Sequence, residues 1–138
     1  MEKPQNQQEL AYQIQFIKEQ KEMYMQNLEL INASYSNLIN TKKTVKNLKD
    51  IKDGDEILVP VGGMVNLKAL IKEPQKILLS ISNDVIVERN IEKSLEYLDK
   101  LIEQHKNQIG LLQEQIKKID VSLHNISQQF QRNLSQQQ

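Results

Sequence analysis

Few residues in this sequence could do covalent or metal chemistry, and their spacing argues against it. His105 and His124 are the two histidines, nineteen residues apart, with no carboxylate pair beside them to complete a metal site. There is no cysteine, which removes both a disulfide framework and a thiolate metal site. Gly62-Gly63 is a glycine pair, but it lacks the Lys-Ser/Thr and the following helix of a phosphate loop, so it reads as a turn. No nucleophile, base and orienting residue stand in a recognisable set. The expectation is no enzyme, no cofactor and no metal. The chemistry that remains is apolar association, which is non-directional and worth about 25 cal/mol per Å² buried. Candidates for it lie near both chain ends: Leu10, Ile14, Phe16 and Ile17, with Leu123, Ile126, Phe130 and Leu134.

Composition narrows the class. Lys plus Arg and Asp plus Glu each number 18, so net charge gives no pull toward nucleic acid or an anionic membrane. No apolar run approaches the ~20 residues of a membrane span. The first residues, MEKPQNQQEL, lack the apolar core of a secretory signal. A soluble, cytoplasmic protein is expected, without nucleic-acid or membrane partners. Trp is absent and Phe occurs twice, so the apolar residues are spent on something other than a large globular core.

The elements that must position those residues follow from periodicity. Alternate steps of four and three from Leu10 visit Ile14, Ile17, Lys21, Tyr24, Leu28, Ile31, Tyr35, Leu38, Lys42 and Val45, a heptad seam interrupted by two lysines. A second series runs from Ile91 through Leu95, Leu98, Ile102, His105, Ile109, Leu112, Ile116, Ile119, Leu123 and Ile126 to Phe130, interrupted by His105. Each helix covers roughly 40 residues, or about 60 Å. Equal lengths joined by a compact insert predict an antiparallel coiled-coil hairpin. If Leu48 faces Ile91, partner numbers sum to about 139, which puts Lys21 near Lys118 and Asp120. The lysines then act as register devices, their stems along the seam and their charges reaching water. Pro4 suits the first turn of helix one, Asp53-Gly54-Asp55 a turn, and Asn90 the N-cap of helix two.

The insert is of another kind. Ile57–Val61 is β-branched and apolar, and Gly62-Gly63 turns the chain into an alternating run with Val65, Leu67, Ala69 and Ile71. Ile77–Ser82 and Val85–Val87 form a second pair around Ser82-Asn83-Asp84. Two isolated hairpins expose edges and are marginal in water. The insert is therefore expected to be an assembly hub, with Ile57, Val59, Val61, Val65, Leu67, Ile77, Leu79, Val85 and Val87 as its contact residues. The fold class is α+β: a long antiparallel two-helix coiled-coil hairpin with two β-hairpins at its proximal end, forming an oligomeric β-barrel hub. The whole chain, 1–138, is expected to be one unit, with helix one over about 5–52, the hairpins over 56–89 and helix two over 90–134.

This layout, with Leu58-Val59-Pro60-Val61-Gly62, Lys68-Ala69 and Val85-Ile86-Val87-Glu88, resembles the alpha class of the prefoldin family. The chain departs from the family pattern at Met64, where a second glycine is usual, and at Ser82-Asn83-Asp84, where the family favours Gly-x-Gly. Asn and Asp tolerate left-handed backbone, which would preserve that turn. The resemblance implies an ATP-independent holdase subunit. Two alpha and four beta-class subunits would join through their hairpins, hold non-native client proteins at the coiled-coil tips and deliver them to a group II chaperonin. In such an arm the tip is built from the chain ends, where the eight apolar residues named above would meet the client. Two other readings of the same architecture are a self-assembling filament and a coiled-coil tether between unrelated partners.

Overall fold

The computed structural model describes residues 7–136. Pro4 and the outermost residues of both glutamine-rich tails lie outside the described residues. In chain order the elements are helix α1 (Gln7–Asn47), a 3-10 turn (Leu48–Asp50), strands β1 (Glu56–Gly62), β2 (Val65–Leu70), β3 (Lys76–Ser82) and β4 (Val85–Asn90), and helix α2 (Ile91–Gln136). They are distributed over two compact units. A chain-end unit combines residues 7–35 with 105–136, and a hairpin unit spans Ser36–Gln104.

In the chain-end unit the two helix segments meet along the heptad series. Leu10 is fully buried, and Ile14, Ile17, Lys21, Tyr24, Leu28, Ile31 and Tyr35 are half-buried, whereas the residues between them are exposed. On α2 the half-buried set includes His105, Ile109, Leu112, Ile116, Ile119, Leu123, Ile126 and Phe130. Polar pairs fix the antiparallel register. The Lys21 ammonium meets Asp120 Oδ1 at 2.6 Å, and Ser34 Oγ hydrogen-bonds with His105 Nε2 at 3.0 Å. His105 is thus a polar seam residue. Lys21 ends on an aspartate of the facing helix rather than in water alone. Both side chains are part-exposed, so the pair contributes at most about 1 kcal/mol and serves register more than stability.

The hairpin unit repeats this device, with Lys42 Nζ 2.6 Å from Asp99 Oδ1. Its core is a cluster of Val45, Ile91 and Leu98, against which Leu38, Leu48, Leu95 and Ile77 pack. The α-helical part of α1 stops at Asn47, short of the expected end near residue 52. The last turn tightens into the 3-10 conformation, and the Ile51 N–H bonds the Leu48 carbonyl at 3.2 Å. Asn90 caps α2: its Oδ1 accepts the Lys93 N–H at 2.7 Å. The buried Ser94 hydroxyl bonds the Asn90 carbonyl at 2.8 Å, which ties the first turn to the end of β4.

The two hairpins are antiparallel two-stranded sheets, β1 with β2 and β3 with β4. Each pairing in the second repeats one in the first shifted by twenty residues, from Glu56↔Leu70 and Lys76↔Asn90 to Gly62↔Val65 and Ser82↔Val85. Even the register shift recurs, between Pro60 and Gly62 and between Ser80 and Ser82, which leaves Val61 and Ile81 as bulged residues. This symmetry carries β4 on to Asn90, beyond the Val85–Val87 read from the sequence, because Lys76 and Ile77 need partners. The two turns differ. Gly62 and Gly63 have φ of 149° and 26°. Asn83 and Asp84 do not have positive φ, so the second turn is made without the left-handed backbone expected there.

Glu73 is the described non-glycine residue with positive φ, at 52°. Asp53 Oδ1 accepts its N–H at 3.0 Å, and its own carbonyl accepts the Lys76 N–H at the same distance. Holding an L-residue there costs about 1 kcal/mol or more. Its ion pair with Lys76, at 3.5 Å between two exposed side chains, offsets little of that. Glu73→Gly is expected to stabilise the hairpin unit by roughly 0.5–1 kcal/mol, since the gain in the left-handed region exceeds the entropy that glycine adds to the unfolded chain. A urea midpoint that fails to rise would show that Asp53 and the turn hold Glu73 without strain.

Candidate functional site

Each unit carries its own candidate surface. In the hairpin unit, period-two alternation puts Ile57 and Val59 on one face, opposite Ala69 and Leu67. In the second hairpin Leu79 lies opposite Val87, and Val85 opposite Ser82. Val61, Val65, Leu67 and Val85 are well exposed, Ile57 and Val59 are only just so, and Leu79 and Val87 are half-buried. Ile77 is the member of the expected contact set that packs against the helix core of its own unit. The opposite faces are apolar as well, through Leu58, Leu70, Leu78 and Ile86, all exposed. With two strands per sheet, every strand is an edge, and no side of either sheet is closed by a further strand.

In the chain-end unit six of the eight residues expected to meet a client lie in the seam. Leu10 is fully buried, and Ile14, Ile17, Leu123, Ile126 and Phe130 are half-buried; Phe16 and Leu134 are exposed. The fold brings Phe16, Ile17 and Ile126 together in an open groove of about 480 Å³, completed by Tyr12 and Gln13. Tyr12 was not among the sequence candidates. It stands four residues before Phe16, off the heptad series, and that spacing was the available signal. The Gln7 amide reaches the Phe130 carbonyl at 3.5 Å across the same helix pair.

A family model, Prefoldin subunit, matches residues 5–136. The chain belongs to the prefoldin family. Prefoldin subunit alpha of Pyrococcus horikoshii is 28% identical over 123 residues, covering 88% of this chain and 83% of that one. Prefoldin subunit alpha 1 of Thermococcus kodakarensis is 34% identical over 97 residues, covering 70% and 66%. Among solved structures, a filamentous PFD from Methanocaldococcus jannaschii superposes with a TM-score of 0.73 at 20% identity, over 82% of this chain and 93% of that one. The prefoldin beta subunit from Thermococcus strain KS-1 gives a TM-score of 0.61 at 18% identity, over 97% of each chain. These two likenesses concern the fold. The relatives place the prefoldin chain in the alpha class.

The described residues of this prefoldin hold no group of three or more His, Cys, Asp or Glu side chains that could bind a metal ion. Among them, no helix is long and apolar enough to cross a membrane. The candidate surfaces of the described residues are the apolar hairpin faces and the groove of Tyr12, Gln13, Phe16, Ile17 and Ile126.

Proposed function

We propose that this chain is the alpha subunit of an ATP-independent holdase. It assembles with beta-class prefoldin subunits, two alpha with four beta, through Ile57, Val59, Val61, Val65, Leu67, Leu79, Val85 and Val87. The observation that carries the reading is the pair of two-stranded sheets whose apolar faces stay exposed within one chain. Such sheets gain stability by completing one another, and closure into a barrel removes their edges. The chain-end unit contributes the client surface, with Phe16, Leu134 and the groove beside Ile17 and Ile126. Clients are non-native proteins of the cytoplasm, passed on to a group II chaperonin.

The test is reconstitution. Mixed with a single-hairpin beta-class subunit, the chain is expected to co-purify as one closed particle. That particle should suppress the turbidity of a chemically denatured test protein, with and without ATP. A chain that neither co-purifies nor protects would end this reading.

A second reading has one observation in its favour: a solved structure with this fold is a filamentous PFD. Hairpins that pair head-to-tail between copies give an open filament rather than a closed particle. Electron microscopy of the purified chain separates the two, since filaments formed by this chain alone would favour the second.

A further inference from the structure

The second hairpin repeats the backbone pairing of the first at a shift of twenty residues, but with its charges reversed. The charged residues of β1 and β2 are Glu56 and Lys68; the equivalent positions of β3 and β4 hold Lys76 and Glu88. The pairings Glu56↔Leu70 and Leu58↔Lys68 set the first two charges on one face, diagonal to each other. Lys76↔Asn90 and Leu78↔Glu88 do the same in the second hairpin. All four residues are exposed. Lys76 has a loose ion pair with Glu73, at 3.5 Å. Glu56, Lys68 and Glu88 have no ion-pair partner among the described residues, so neither diagonal is closed within its own hairpin.

Lys68 and Glu88 lie near the middle of β2 and β4, each six residues long and unpaired on its outer edge. Pro60 has no N–H to give a further strand, which blunts the outer edge of β1 and leaves β2 as the open side of the first hairpin. In the second hairpin β3 is engaged with the helix core through Ile77, and β4 carries the central charge. Antiparallel pairing of β2 with β4 that keeps the charged faces together has two near-complete registers. Lys68 stands directly opposite Glu88 in one and diagonal to it, at about 7–8 Å, in the other. Pairing of β2 with another β2 would bring lysine to lysine, and of β4 with another β4 glutamate to glutamate, which is destabilising across a sheet. The complement is not met within one chain. Its two sheets are separate, and the connection between them is pinned by the Ile71 N–H on the Asp55 carbonyl at 2.8 Å and the Glu73 N–H on Asp53 at 3.0 Å. A second copy of the chain supplies it.

We propose that β2 of one copy pairs edge to edge with β4 of a second copy, and that Lys68 beside Glu88 selects this pairing over that of like hairpins. The pairing rests on the hub of the proposed holdase and adds to it which hairpin each hairpin takes and the two residues that choose. In a closed two-fold pair of copies the contact is made twice, and in a head-to-tail row once at each junction.

Charge reversal tests it, read as co-purification of two differently tagged full-length copies and as mass in analytical ultracentrifugation. Lys68→Glu and Glu88→Lys should each weaken self-pairing about tenfold, since attraction becomes repulsion at every contact. The two variants mixed with each other should pair as tightly as wild type, and so should a chain that carries both reversals. Far-UV helicity should not change in any of them, and the loss in the single variants should shrink in 1 M salt. Single variants that pair with themselves as well as wild type does would overturn the proposal. A loss that neither mixing nor the double reversal restores would assign the two charges to the folding of their own hairpins, and would overturn it as well. If the wild-type chain joins the beta-class subunit but not its own copy, this pairing alone is wrong. If it joins neither, the hub reading falls with it.

Discussion

Complexes in which this chain carries Val59→Lys and Leu67→Lys are expected to fall apart into smaller species. The two residues face each other across β1 and β2. Substitution puts two like charges on directly opposed positions of a face that must be desolvated on assembly. Val59 and Leu67 are 38% and 57% exposed, so losing the two apolar side chains from such an interface removes about 1.5–3 kcal/mol before any charge is desolvated, at least tenfold in association. Neither residue belongs to the Val45, Ile91 and Leu98 cluster, so the helices should keep most of their far-UV signal. Light scattering reads the mass and circular dichroism the helicity. An unchanged mass would move assembly away from the first hairpin.

Leu98→Ala should have the largest effect on stability. Leu98 is 4% exposed and sits in the cluster that joins both helix segments of the hairpin unit to Ile77 of β3. A buried Leu→Ala change costs about 2–5 kcal/mol, made of lost transfer energy and the cavity left behind. Leu111→Ala, on an exposed position of α2, should cost less than about 0.5 kcal/mol. Urea denaturation of the two variants side by side decides it. Similar small losses in both would mean that the cluster relaxes around the missing side chain. A large loss confined to Leu98→Ala would show that the hairpin unit depends on this one contact layer.

The seam and the hairpins were both legible without coordinates, for a simple reason. A heptad and a two-residue alternation are one-dimensional signals, so every position from Leu10 to Val45 and from Ile91 to Phe130 in the two series could be assigned to a face by counting. All of those positions are buried or half-buried in their units, including the polar ones, Lys21, Lys42 and His105. Asn90 was legible as a cap because its side chain can serve the N–H three residues on, whatever surrounds it. The client residues follow from apolar side chains near the two chain ends, Phe16 and Leu134 lying off the heptad series, and the assembly residues from the strand runs of the insert; their roles rest on the proposals above.

Other features depended on what lies across space. Counting assigns Lys21 and Lys42 to the seam and, through the register, brings Lys21 near Lys118 and Asp120, but that Asp120 and Asp99 take the two charges depends on side-chain geometry across the facing helices. It treats Tyr12 as a solvent-side residue like any other, because the groove it lines is completed by Ile126 of the facing helix. The left-handed Glu73 is imposed by Asp53, twenty residues earlier, and no local preference of Glu would place it there. The sequence alone determined the elements and the buried face of each helix, since both follow from near-neighbour spacing. Tertiary structure alone decided which apolar residues stay exposed, since exposure is a property of everything that could have packed against them and did not.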